Sequence, residues 1–146
     1  MRIVRADAWH LELIVPLFDA YRQFYKQRSD TARARRFLRQ RLERKESVIF
    51  LAMDGNKAVG FVQLYASFDS VAMRRMWILY DLFVAPVARK HGVAKRLMKH
   101  ARQFALRTKA KGLVLETAID NRPAQKLYEQ LGWKRDTVFH RYSLDV

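Results

Sequence analysis

Residues 89–95, Arg89, Lys90, His91, Gly92, Val93, Ala94 and Lys95, combine cationic side chains with a glycine where a helical pattern begins. Apolar residues then recur at Ala94, Leu97, Met98, Ala101 and Ala105, the rhythm of one helix face. Residues 78–84, just before, form an apolar run of strand length whose one charge is Asp81, and Pro86 ends it. A strand that enters a helix through a glycine turn aims free N–H groups and a positive helix end at one point. That point suits an anion, above all a phosphate. Asp81 would be costly if buried without a partner. It reads either as a charge placed for chemistry or as a carboxylate satisfied by local N–H groups. Glu116, near the end of the next apolar run, is the other candidate base. Tyr21 and Tyr25 stand one helical turn apart, which puts two phenols on one face.

Other chemistries find no footing. There is no cysteine, hence no thiol nucleophile and no disulfide framework. His10, His91, His100 and His140 lack metal-ligand spacing, no Walker loop or dinucleotide glycine signature occurs, and no serine sits in a nucleophile elbow.

The elements that must position these residues follow from periodicity. At 146 residues, half of them apolar, the chain fits one α/β domain over residues 1–146. Residues 2–5 suggest a short strand, and Asp7 a helix cap. A helical pattern follows through Tyr25, with a kink or break expected at Pro16. Ser29 and Asp30 open a second helix, rich in arginine from Arg33 to Arg44. Residues 48–53 and 58–68 read as strands around the Asp54-Gly55 turn signal, residues 69–75 as a loop, and residues 77–84 as the next strand. Residues 113–117 read as a buried parallel strand. A helix starts at Asn121 and Pro123 and stops at Gly132, and residues 133–146 carry two strand-like segments. The whole predicts a mixed central sheet of six to seven strands with about four helices.

The net charge of +15 bears on partners. It would draw polyanions, and the basic helix over residues 33–45 could lie against nucleic acid, although a solvated face is the favoured reading. No apolar run is long enough to span a membrane, and the N-terminus lacks the apolar core of a signal peptide, so a cytoplasmic protein is expected.

Two motifs resemble the GCN5-related N-acetyltransferase (GNAT) superfamily. Arg89, Gly92 and Ala94 match its Gln/Arg-x-x-Gly-x-Gly/Ala turn. Asn121, Ala124, Leu127, Tyr128, Gly132 and Trp133 match its second motif, Asn-x-x-Ala-x-x-Leu/Phe-Tyr-x-x-x-Gly-Phe, with Trp in place of Phe. The element order is also similar, and the tyrosine pair and expected C-terminal hairpin resemble a branch with yeast histone- and polyamine-type enzymes. The resemblance implies transfer of acetyl from acetyl-CoA to a primary amine of a small molecule or a protein, and a homodimer is plausible on it. It also implies roles. Residues 89–95 would hold the pyrophosphate, and the backbone of Leu82, Phe83 and Val84 would pair with pantetheine. Asn121 would bond the pantetheine amide and Tyr128 would protonate the leaving thiolate; Asp81 would take a proton from the ammonium substrate or orient it, with Glu116 or a water relay as the alternatives. Tyr21, Tyr25, Tyr80 and Glu116 would face the acceptor.

Overall fold

Strand-forming residues are concentrated in the first 116 positions, where they build one sheet. The computed structural model describes residues 1–146. The sheet order is β1 (Arg2–Arg5), β2 (Ser47–Asp54), β3 (Lys57–Asp69), β4 (Arg74–Val84) and β5 (Gly112–Val114). The first four strands pair antiparallel and β5 runs parallel to β4. The Asp54-Gly55 signal is realised: Gly55 takes φ 57° and the hairpin closes with Asp54 opposite Lys57.

Four α-helices accompany the sheet: α1 (Leu11–Phe24), α2 (Thr31–Glu43), α3 (Val93–Arg107) and α4 (Arg122–Gln130). Ile14, Val15, Phe18, Ala34 and Leu38 from α1 and α2 pack with Ile49, Leu51, Phe61 and Phe83. Phe50, between Ile49 and Leu51, instead meets Phe104 and His100 of α3 at 5.5 Å. Alternation along a strand therefore puts α3 on the opposite face from α1 and α2. Both faces of β2 are covered, which is why it is buried from Ser47 to Met53. α3 comes close at Gly60, where a Cβ would sit 2.9 Å from the Phe83 carbonyl oxygen and 3.3 Å from Val93 Cγ1.

Asp7 caps a short 3-10 turn, Ala8–His10, that leads into α1. α1 then continues through Pro16 without a break. Proline forfeits one N–H there, but the apolar face on either side of it is anchored in the core, and that burial outweighs the lost bond. Asp19, itself buried, accepts from Ser29 Oγ at 2.6 Å and from the Asp30 N–H at 2.8 Å, and so fixes the entry to α2. The loop between β3 and β4 is shorter than the expected residues 69–75, because the ladder extends to Asp69 opposite Arg74. No helix is long and apolar enough to cross a membrane.

Met1–Glu116 forms one compact unit and Thr117–Val146 a second. In the second, Asn121 caps α4 by accepting from the Ala124 N–H at 3.3 Å, and Gly132, at φ 86°, follows the end of the helix. The expected strands in residues 133–146 are absent, so the sheet has five strands rather than six to seven. Val138, Phe139, Tyr142 and Leu144 have strand-forming side chains, but no ladder partner pairs with them and they are exposed. The N–H groups of Val138 and Phe139 turn instead to Asp136 Oδ1, at 2.8 and 3.2 Å, a local bond that competes with sheet pairing. β5 likewise ends at Val114, short of Thr117.

Candidate active site

The β4–α3 connection supplies the first part of the site. β5 accompanies β4 only where Met76, Trp77 and Ile78 meet Gly112, Leu113 and Val114. From Leu79 to Val84 the edge of β4 turned away from β3 has no neighbouring strand. The chain then passes a 3-10 turn, Pro86–Ala88, and two left-handed residues, Lys90 at φ 64° and Gly92 at φ 73°. Gly92 stands at the N-cap of α3 and no side chain caps it. The first helical bond runs from the Arg96 N–H to the Gly92 carbonyl at 3.1 Å, so the N–H groups of Val93, Ala94 and Lys95 have no partner within the helix. Within the chain a Cβ on Gly92 would meet nothing within 4 Å, and the left-handed backbone is what calls for glycine there.

The side chains of this segment divide into two groups. Lys90, His91 and Lys95 are exposed. Arg89 turns back on the strand: its Nε donates to the Val84 carbonyl at 2.9 Å and its guanidinium lies 5.6 Å from the Phe83 ring centre. Phe83 and Val84 are buried and Leu82 half-buried, so it is their backbone that can serve a ligand along the edge. A positive helix end without a cap, beside an unpaired strand edge, fits a diphosphate followed by an extended amide chain.

The second part is a cluster of phenols around a buried carboxylate. Asp81 is 3% exposed and accepts a short hydrogen bond from Gln63 Nε2, opposite it on β3. The Tyr21 hydroxyl donates to the Tyr80 carbonyl oxygen at 3.4 Å, and Tyr21 and Asp81 act on each other's protonation. Burial pushes the Asp81 carboxyl above its ordinary value, against the opposing pull of Gln63 and the Tyr21 hydroxyl. Burial, joined by the Asp81 charge, also pushes the Tyr21 and Tyr65 phenols up, so both stay protonated. Tyr25 stacks edge-on to Tyr21 at 5.1 Å, and the exposed Tyr80 ring meets Tyr65 at 5.4 Å.

Tyr21, Tyr25, Tyr80 and Asp81 are thus brought together in the first unit. Glu116 is exposed, two residues beyond the end of β5. In the second unit, Tyr128 is half-buried on α4 with its ring 6.1 Å from Trp133. Asn121 Oδ1 is engaged in the α4 cap. Sequence reasoning missed Gln63, although a lone amide among Phe61, Val62 and Leu64 was a visible signal. It also missed an open concavity lined by Phe37, Arg41, Glu46, Tyr65, Ala66 and Tyr80, which joins residues far apart in the chain.

Residues 14–133 match the model of the acetyltransferase (GNAT) family. An uncharacterized N-acetyltransferase of Bacillus subtilis, YhfO, is 47% identical over 146 residues, covering the whole of this chain and 98% of that protein. A probable acetyltransferase of Haemophilus influenzae is 38% identical over 119 residues, 81% of this chain and 82% of that one. Among solved structures, a probable acetyltransferase superimposes with a TM-score of 0.95 at 46% identity, covering the whole of this chain and 98% of that chain. The chain belongs to the GNAT family of acetyltransferases.

Proposed function

We propose that this acetyltransferase is an acetyl-CoA-dependent enzyme that acetylates a primary amine by direct attack in a ternary complex. The observation that carries the reading is the unpaired edge of β4 from Leu79 to Val84, which leads into the uncapped start of α3. Acetyl-CoA, when bound, supplies the acetyl group as an activated thioester. The N–H groups of residues 92–95 bind the diphosphate, with charge from Lys90 and Lys95, while His91 contributes its N–H. Arg89 braces the end of β4 from below. The backbone of Leu82, Phe83 and Val84 holds the pantetheine as an added strand, and one N–H there polarises the reacting carbonyl. Asn121 bonds the pantetheine amide, and Tyr128 holds the proton for the departing sulfur. Asp81 is too buried to touch a substrate, so it draws the acceptor's proton through the Tyr21 hydroxyl. Tyr25, Tyr80 and Glu116 border the acceptor. The enzyme works in the cytoplasm, a reading supported by a chain that needs no disulfide. It works as a homodimer, a reading supported by the exposed apolar residues from Val138 to Leu144.

Thiol release from acetyl-CoA across a panel of amines tests the reading. Amine-dependent release is expected, and Tyr128→Phe should lower kcat by about 100-fold, more than it weakens acetyl-CoA binding. Absence of both acetyl-CoA binding by calorimetry and thiol release would overturn it. A second reading is favoured by the arginines of α2: Arg33, Arg36 and Arg39 are exposed, as is Arg44 just past its end, while Arg35 and Arg41 are paired with Glu12 and Glu46. It makes the basic helix a nucleic-acid contact on an acetyltransferase fold.

A further inference from the structure

We propose that the acceptor is an amine that also carries a carboxylate, and that Arg41 reads this carboxylate in the concavity it shares with Phe37, Glu46, Tyr65 and Tyr80. The inference rests on the amine acetylation proposed above. The concavity measures about 580 Å³ and is assembled from α2, the corner before β2, β3 and β4.

Arg41 is its fixed cation. The side chain is 18% exposed, and the guanidinium lies 4.5 Å over the Phe37 ring. Phe37 is in turn stacked on Phe18 of the core at 5.8 Å and 6°. Its present partner is the replaceable one. Glu46 is 46% exposed; Arg41 Nε donates to its Oε1 at 3.3 Å, and a terminal nitrogen lies 3.2 Å from the same oxygen while donating to Gln40 Oε1 at 3.5 Å. One hydrogen bond to one oxygen falls short of the fork that guanidinium makes with both oxygens of a well-placed carboxylate. A ligand carboxylate can supply that fork while Glu46 swings to solvent.

The other end of the concavity suits the amine. Tyr65 and Tyr80 present their rings there, and ring faces attract an ammonium group. Asp81 lies beneath, next in sequence to Tyr80, and its charge acts on both Tyr65 and Tyr21. Tyr65 also feels Arg41 and its partner Glu46; with Glu46 swung to solvent, Arg41 is the positive end of the concavity and Asp81 the negative one. A zwitterionic acceptor matches that polarity. A diamine does not, since its second cation would face Arg41, and the +15 field of the chain disfavours it further.

The experiment uses the intact protein with saturating acetyl-CoA and two matched pairs, phenylalanine with 2-phenylethylamine and alanine with ethylamine. Thiol release is expected to favour the carboxylated member in kcat/KM by about tenfold or more, the scale of one charged hydrogen-bonded contact. Arg41→Gln should bring the ratio toward one, chiefly through KM. Glu46→Gln frees Arg41 and should raise it. Calorimetry with acetyl-CoA checks that each variant is folded, and if Arg41→Gln fails that check, Glu46→Gln decides. Equal rates within each pair, or a preference that neither variant moves, overturn the inference and leave acetyl transfer standing. Thiol release that none of the four amines raises overturns the inference, and if acetyl-CoA binding is also absent by calorimetry, the acetyl-transfer reading falls with it.

Discussion

At the scale of single residues, Asp81 has the most to reveal. Its carboxyl is held above the ordinary value by burial, so the folded protein binds a proton there that the unfolded chain has released. The folded state therefore loses stability as pH rises from about 4, the ordinary carboxyl value, through the raised value of Asp81. Asp81→Asn removes that dependence. Urea unfolding at a series of pH values should show the variant gaining on the parent as pH rises. If Asp81 also draws the acceptor's proton, the same substitution should flatten the rising limb of the kcat/KM profile in that window. Gly92 gives a second residue-level prediction. Alanine at φ 73° costs about 1–2 kcal/mol, read as a lower urea midpoint, and the distorted turn should also bind acetyl-CoA less tightly.

At the scale of elements, the sheet and α3 are gauged by Gly60. A methyl group there collides with the Phe83 carbonyl and with Val93, the first residue of α3. Gly60→Ala should cost about 1–3 kcal/mol by overpacking, measured by denaturant unfolding. It should also disturb anion binding, because the displaced helix end is the proposed phosphate site. The elements legible in the sequence were those written locally. The turn at Asp54-Gly55, the cap at Asn121, the stop at Gly132 and the apolar stripe of α3 each depend on residues within a few positions of one another. What was illegible depends on distant partners. Residues 133–146 look like strands because composition records willingness to pair, whereas a strand exists only where an edge receives it. Pro16 signalled a kink or a break, and the break is missing because the local rule could not weigh the core burial of Ile14, Val15, Leu17 and Phe18 around it. The Arg41 concavity was hidden for the same reason. Nothing in the arginine-rich run distinguishes Arg41 from Arg39 until β3 and β4 bring Tyr65 and Tyr80 alongside it.

At the scale of the whole molecule, the charge of +15 exceeds what one small anionic cofactor requires. Were α2 a nucleic-acid contact, binding to a DNA or RNA duplex would weaken steeply with added salt. Replacing Arg33, Arg36 and Arg39 with glutamine would reduce the slope of log K against log salt by about 0.9 per lost phosphate contact. Binding that is absent at low salt, measured by fluorescence anisotropy, removes that reading and leaves the charge as an aid to solubility and to attraction of anionic ligands.

The short partnership of β5 with β4 should also be visible as a pattern of hydrogen exchange. Through Ile78, β4 is bonded on both sides, and its amides can be shielded wherever they point. From Leu79 onward only β3 remains, and past the bulge that leaves Tyr80 out of the register, amides from Asp81 to Val84 should alternate between slow and fast exchange, one residue to the next. Addition of acetyl-CoA should slow the fast set and leave the slow set unchanged. The strand would then carry, amide by amide, a record of what lies along its open side.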